Sequence, residues 1–196
     1  MFVDVDTQFD FMDPRGTLYV PGAVDIRGNL KKLFDFAKEH KIRILSSVDA
    51  HSIGDKEFQH FPAHCVKETR GIEKIDITKC DDFIVIENIK QRIPLSLLNP
   101  QQIIIEKQSL DIFDNINTET IINTLNAESY VIFGVATDYC IKAAALALHK
   151  RNHTVSLVTD AVKAMTPGGK KEALTEMKDA GIIFITTESI LEENYQ

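Results

Sequence analysis

Residues 130–152 read YVIFGVATDYCIKAAALALHKRN, and how this stretch folds decides the architecture. Residues 130–136 are a nearly unbroken apolar run rich in β-branched and aromatic types, as a strand requires, while 141–152 carries a helical pattern. A glycine-led turn joins them, so the stretch is one strand-to-helix unit. Similar apolar runs recur at 2–6 (FVDVD), 42–49 (IRILSSVD), 103–107 (IIIEK), 154–161 (TVSLVTDA) and 182–187 (IIFITT). Helical patterns fall between them at 29–40, 118–127 and 169–181. Nearly continuous apolar strands suit a parallel sheet covered by helices on both faces. The alternation therefore implies an α/β protein, a three-layer sandwich around a six-stranded, mostly parallel sheet. Thr118, ahead of an apolar-periodic run, marks a helix start, and Gly181 reads as a helix C-cap. Residues 50–102 are less regular, with DDFIVIEN at 81–88 as an extra strand or a hairpin arm. A loop-rich insertion of that length usually carries function.

The 196 residues fit one domain spanning 1–196, and 44% hydrophobic with 26% charged residues is ordinary globular composition. A net charge of −7 without a Lys/Arg run argues against nucleic acid as a partner. No apolar stretch approaches the roughly 18 residues needed to cross a bilayer, and the first residues given lack a basic segment followed by an apolar one. The expected location is the cytoplasm, with Cys65, Cys80 and Cys140 as free thiols.

In open α/β sheets ligands bind at the carboxyl ends of strands. Asp6, Asp49, Lys107 and Asp160 end strands here and Cys140 follows one, so five strand ends point polar groups to one rim. Any one of these acids could be only a helix N-cap. Together, a thiol, a carboxylate and an amine meet the needs of nucleophilic catalysis, the amine and the helix N-terminus both favouring a thiolate at Cys140. The loop DAHSIGDKEFQHFPAHC adds Asp49, His51, Glu57 and His64, a mixed carboxylate and imidazole set suited to zinc, manganese or iron. A solvated histidine-rich surface is the competing account of that loop.

VDTQFDF at 5–11, YVPGA at 19–23, DAH at 49–51, PAHC at 62–65 and GVATDYC at 134–140 resemble, in order, the motifs of the nicotinamidase branch of the isochorismatase-like cysteine hydrolases. The resemblance implies Cys140 as nucleophile, Asp6 as proton acceptor and donor, and Lys107 as third member, with Lys90 as its competitor. It implies a cis peptide at Val135–Ala136 and an oxyanion hole from the N–H groups of Ala136 and Cys140. The implied metal ligands are Asp49, His51 and His64, with Glu57 or His60 completing the set, zinc being the foremost metal. Phe11, Phe61 and Tyr139 match aromatic places in the family's pocket. One departure is Glu68, where the family's pattern has glycine. The implied activity is hydrolysis of nicotinamide, and of pyrazinamide, to the acid and ammonia in NAD salvage by a homo-oligomer. Alternatives are a carbamoyl compound, another small amide or isochorismate as substrate, or a binding protein that kept the fold without catalysis.

Overall fold

The computed structural model describes residues 1–192. Seven strands form one sheet: β1 (Phe2–Val5), β2 (Ile44–Asp49), β3 (Phe83–Ile86), β4 (Gln102–Lys107), β5 (Ser129–Val135), β6 (Thr154–Lys163) and β7 (Ile183–Ile185). Their order is β3-β4-β2-β1-β5-β6-β7, and every neighbouring pair is parallel. The six strands expected from the sequence are all present. The seventh is β3, at the edge beside β4. It lies parallel to β4, so the stretch at 81–88 is the extra strand and not a hairpin arm, which would have to run antiparallel.

The central strands are continuous in apolar residues because both their faces are covered. On one side lie α3 (Thr118–Leu125), α4 (Lys142–Lys150) and α5 (Pro167–Ala180), whose Ile121, Ala144, Leu148 and Met177 pack against Val3, Leu45, Ile105 and Ile132. On the other, α2 (Arg27–Glu39) and α6 (Thr187–Glu192) place Leu30, Leu33, Phe34 and Ile190 against Phe2, Ile44 and Phe133. Fully burying one such Leu, Ile or Phe contributes roughly 1.5–3 kcal/mol. A short helix, α1 (Phe9–Met12), follows β1 directly. Gly181 closes α5 at φ 103°, the left-handed cap the sequence implied.

Connections run from β1 toward β2 and β4, then cross over to β5, β6 and β7, so the winding reverses between β1 and β5. The crevice beyond the strand ends at such a reversal is where open α/β sheets bind ligands. Two positions shape it. Gly134 sits at φ 117°, where a Cβ would lie 2.1 Å from the Val5 carbonyl oxygen; only glycine lets β1 and β5 approach this closely. Between Ile132 and Gly134 the β5–β6 register slips, Ile132 facing Leu157 while Gly134 faces Val162. The slip lets β6 run on to Lys163, so Asp160 lies within the strand rather than at its end. Asp160 is exposed and accepts hydrogen bonds from the Thr187 N–H and hydroxyl at the start of α6. It is a capping carboxylate, and the expectation that it reaches the catalytic rim is corrected. Among the described residues, no helix is long and apolar enough to cross a membrane.

Candidate active site

Four strand ends meet at the reversal point. β1 ends in Asp6, whose φ of 50° turns the chain abruptly out of the sheet; Ser47 of β2 donates to Asp6 Oδ1 at 2.6 Å. Lys107 ends β4 and Asp49 ends β2, paired across the ladder. Cys140 lies in the π turn Thr137–Ile141 after β5, which ends the strand at the cis Val135–Ala136 bond and leads into α4.

Lys107 is fully buried, and its ammonium is the hub. Its Nζ lies 2.9 Å from Asp6 Oδ2 and 3.5 Å from Cys140 Sγ, and it donates to Asp49 Oδ1 as well. The structure thus brings Asp6, Lys107 and Cys140 together. Lys90 is exposed and takes no part.

Asp49 faces two ways. Its other oxygen, Oδ2, lies 3.5 Å from His64 Nε2 and 3.9 Å from His51 Nε2. One ligand atom from each of Asp49, His51 and His64 fits within a 4.8 Å group. His64 Nδ1 is 2.8 Å from the Pro62 carbonyl, which places the proton there and leaves Nε2 as the free donor atom. His51 Nδ1 lies 3.2 Å from Asp55 Oδ2, while its buried Nε2 is left without a hydrogen bond on the side of Asp49 and Glu57, an expensive arrangement unless a cation takes it. Glu57 Oε2 stands 3.7 Å from His51 Nε2, within reach of the same point. His60 is exposed and outside the group. Two imidazoles and a carboxylate at this spacing fit a first-row divalent metal.

The isochorismatase domain family matches residues 1–189. This chain belongs to the isochorismatase family. It is 29% identical to the pyrazinamidase of Pyrococcus horikoshii, solved in complex with zinc, with a TM-score of 0.77 over 94% of this chain and 97% of that one. It is 25% identical over 193 residues to a probable inactive nicotinamidase of Arabidopsis thaliana, covering 91% of this chain and 87% of that protein. It is likewise 25% identical over 184 residues to the nicotinamidase of Saccharomyces cerevisiae, covering 80% and 84%. One of these relatives is called inactive, so overall similarity does not decide activity; the side chains in the site must.

In this isochorismatase-family hydrolase the protonation states follow from burial set against the Lys107 charge. Burial pushes the Cys140 thiol well above its ordinary value; Lys107 pulls it back only in part, and Asp6 adds to the rise. The ammonium and the helix end, which favour a thiolate, are thus opposed by burial and by the two nearby carboxylates. Asp6 is itself raised, by burial first, with Lys107 opposing. Burial also disfavours a charged Lys107, but Asp49 and Asp6 outweigh it and hold the ammonium well above the usual lysine range. Burial would raise Asp49 too; Lys107, His51 and His64 reverse this and keep it below the usual carboxylate range. In the triad, burial and the Lys107 charge thus act in opposite directions on both Asp6 and Cys140.

A partly open cavity borders these groups. Asp6, Cys140 and Ala136 border it together with Asp49, His64 and Glu57. Phe11, Phe61 and Tyr139 all line it, with Phe61 edge-on to Tyr139 at 5.7 Å and Phe11 tilted against His64 at 5.4 Å. Leu18, Leu110 and Met165 also line it and were not foreseen. Leu18 stands just before the YVPGA motif, which was the available signal. Leu110 and Met165 sit in loops that carry no periodicity.

Proposed function

We propose that the protein is a nicotinamidase, a metal-assisted cysteine amidohydrolase that converts nicotinamide, and also pyrazinamide, to the acid and ammonia. The observation that carries this reading is the single cavity with the Cys140 thiol and the Asp49, His64 and Glu57 donors on its wall and aromatic rings between. Such a cavity suits one planar heteroaromatic amide.

Asp6 takes the Cys140 proton as Sγ attacks the carboxamide carbon, and Lys107 balances the negative charge as it shifts from Asp6 to sulfur. The oxyanion is received by the N–H groups of Ala136 and Cys140. As the intermediate collapses, Asp6 returns the proton to nitrogen and ammonia leaves. Asp6 then deprotonates a water that attacks the thioester, releasing nicotinate and restoring the thiol.

Asp49, His51, His64 and Glu57 would hold one divalent metal, zinc foremost and manganese or iron as alternatives. When bound it supplies a Lewis-acid contact for a ring nitrogen rather than for the reacting carbonyl. The protein's own residues do the remaining work: Phe11, Phe61 and Tyr139 fix the ring plane and exclude water.

The test is ammonia release from nicotinamide and benzamide, by protein as purified, after chelation, and with zinc, manganese or iron restored. Metal-dependent turnover of nicotinamide that far exceeds that of benzamide is expected, with Cys140→Ala losing turnover while keeping the metal. Equal turnover of the two amides would remove the ring-nitrogen role. Ammonia from carbamoyl compounds but not nicotinamide would move the substrate assignment within the family. The reading also carries a place in NAD salvage, a cytoplasmic location and a homo-oligomeric state, the last checked by sedimentation.

A further inference from the structure

β1 pairs with β2 only as far as Val5 opposite Ser47, and the Asp6 N–H makes the last ladder bond, to the Ser47 carbonyl at 3.2 Å. Asp6 then leaves the sheet, while β2 continues for two more residues to Asp49. In a parallel ladder alternate residues bond to opposite neighbours. Ala50 donates to Lys107 on the β4 side; the N–H and C=O of Asp49 face the side that β1 has vacated. Buried backbone groups left there without partners would cost free energy and leave the peptide free to rotate.

The side chain of Gln8, fully buried, takes the place of the missing strand. Its Oε1 accepts from the Asp49 N–H at 2.7 Å, and its Nε2 donates to the Asp49 carbonyl at 2.8 Å and to the Ile72 carbonyl at 2.9 Å. Its own backbone N–H returns to the Asp6 carbonyl at 2.8 Å. This one residue therefore joins the turn bearing Asp6, the strand end bearing Asp49 and the loop at Ile72. Two residues on, Asp10 repeats the device, accepting from the Cys65 N–H at 2.8 Å, next to His64.

We infer that Gln8 is a positioning residue for the metal centre. By clamping both backbone groups of Asp49 it aims that carboxylate at His51 and His64 before any metal arrives, and holds the metal half of the site in register with Asp6. The inference rests on the reading of Asp49, His51 and His64 as metal ligands.

The test compares wild type, Gln8→Leu and Gln8→Asn by zinc affinity, in competition with a chromophoric chelator, and by melting temperature with and without zinc. Outer-shell partners of metal ligands typically change affinity by about 10- to 100-fold, so a loss of that size is expected in both variants, with a smaller zinc-induced rise in Tm. A brace that serves stability alone would lower Tm equally in both conditions and leave zinc affinity unchanged, which would overturn the inference. Wild type that binds no zinc would instead overturn the metal reading and the inference with it. If Gln8→Leu does not fold, Gln8→Asn decides: it keeps the amide but is one methylene too short to bridge Asp49 and Ile72, and wild-type zinc affinity there would sink the proposal.

Discussion

Glu68 stands at φ 64° and is exposed, in the loop that follows the PAHC motif. Left-handed backbone costs a residue with a Cβ roughly 1–2 kcal/mol, which explains why a glycine suits this place in the family's pattern. The substitution leaves the loop in the glycine conformation and burdens it with strain. Glu68→Gly is therefore expected to stabilise the protein by about 1 kcal/mol, after allowing for the greater freedom of glycine in the unfolded chain. Chemical denaturation would read this as a higher midpoint at unchanged slope; a lower midpoint would show that Glu68 contributes through its side chain instead. That Glu68 departs from the pattern was legible in the sequence, but the sign of its φ was not. The same holds for Asp160: its carboxylate type was visible, and its use as a cap for α6 depends on a register slip two strands deep in the fold.

At the level of elements, the catalytic turn depends on how closely β5 lies against β1. Gly134→Ala would set a Cβ against the Val5 carbonyl and force a side chain into φ 117°. The expected loss is on the order of 2–4 kcal/mol, and because Val5 precedes Asp6, turnover should fall as well. A loss below about 0.5 kcal/mol in a denaturant titration would mean that the two strands separate without consequence. The central strands were readable because burial on both faces makes them continuously apolar. β3 was ambiguous for the opposite reason: on an edge, its Phe83 and Val85 remain exposed and only Ile86 is buried, so its sequence lacks the double-sided signature. The stretch at 50–102 holds short 3-10 turns at Lys56–Gln59, Arg70–Ile72, Asp76–Thr78 and Leu95–Leu98.

For the molecule as a whole, Lys107 ties together β1, β2, β4 and the turn after β5 through one buried ammonium. Removing one partner from a buried ion pair typically costs about 3–5 kcal/mol, because the remaining charge is left uncompensated. Lys107→Met should lose about that much and all turnover. The deficit should depend on pH. Without the ammonium, Asp6 loses its principal lowering influence, and burial carries it further above its unfolded value of about 3.9. Groups raised in this way stabilise the fold below the unfolded pKa and withdraw that stability as pH rises. In metal-free buffer the Tm gap between wild type and variant should therefore widen from pH 5 to pH 8; a constant or narrowing gap would show that Asp6 is balanced by something else.

By itself the sequence determined the α/β class, the order of the strands along the chain and which residue types end them, because those depend on local periodicity and on motif. It also named Asp6, Lys107, Cys140, Asp49, His51 and His64, which the fold then gathers. Only the tertiary structure decided that Lys107 touches both Asp6 and Asp49, that Asp160 is excluded, and that Gln8 stands in for a missing strand. It also decided that burial and two carboxylates oppose ionisation of the Cys140 thiol. Each of these turns on distance and burial between segments far apart in the chain, and a buried charge takes its state from its neighbours in space.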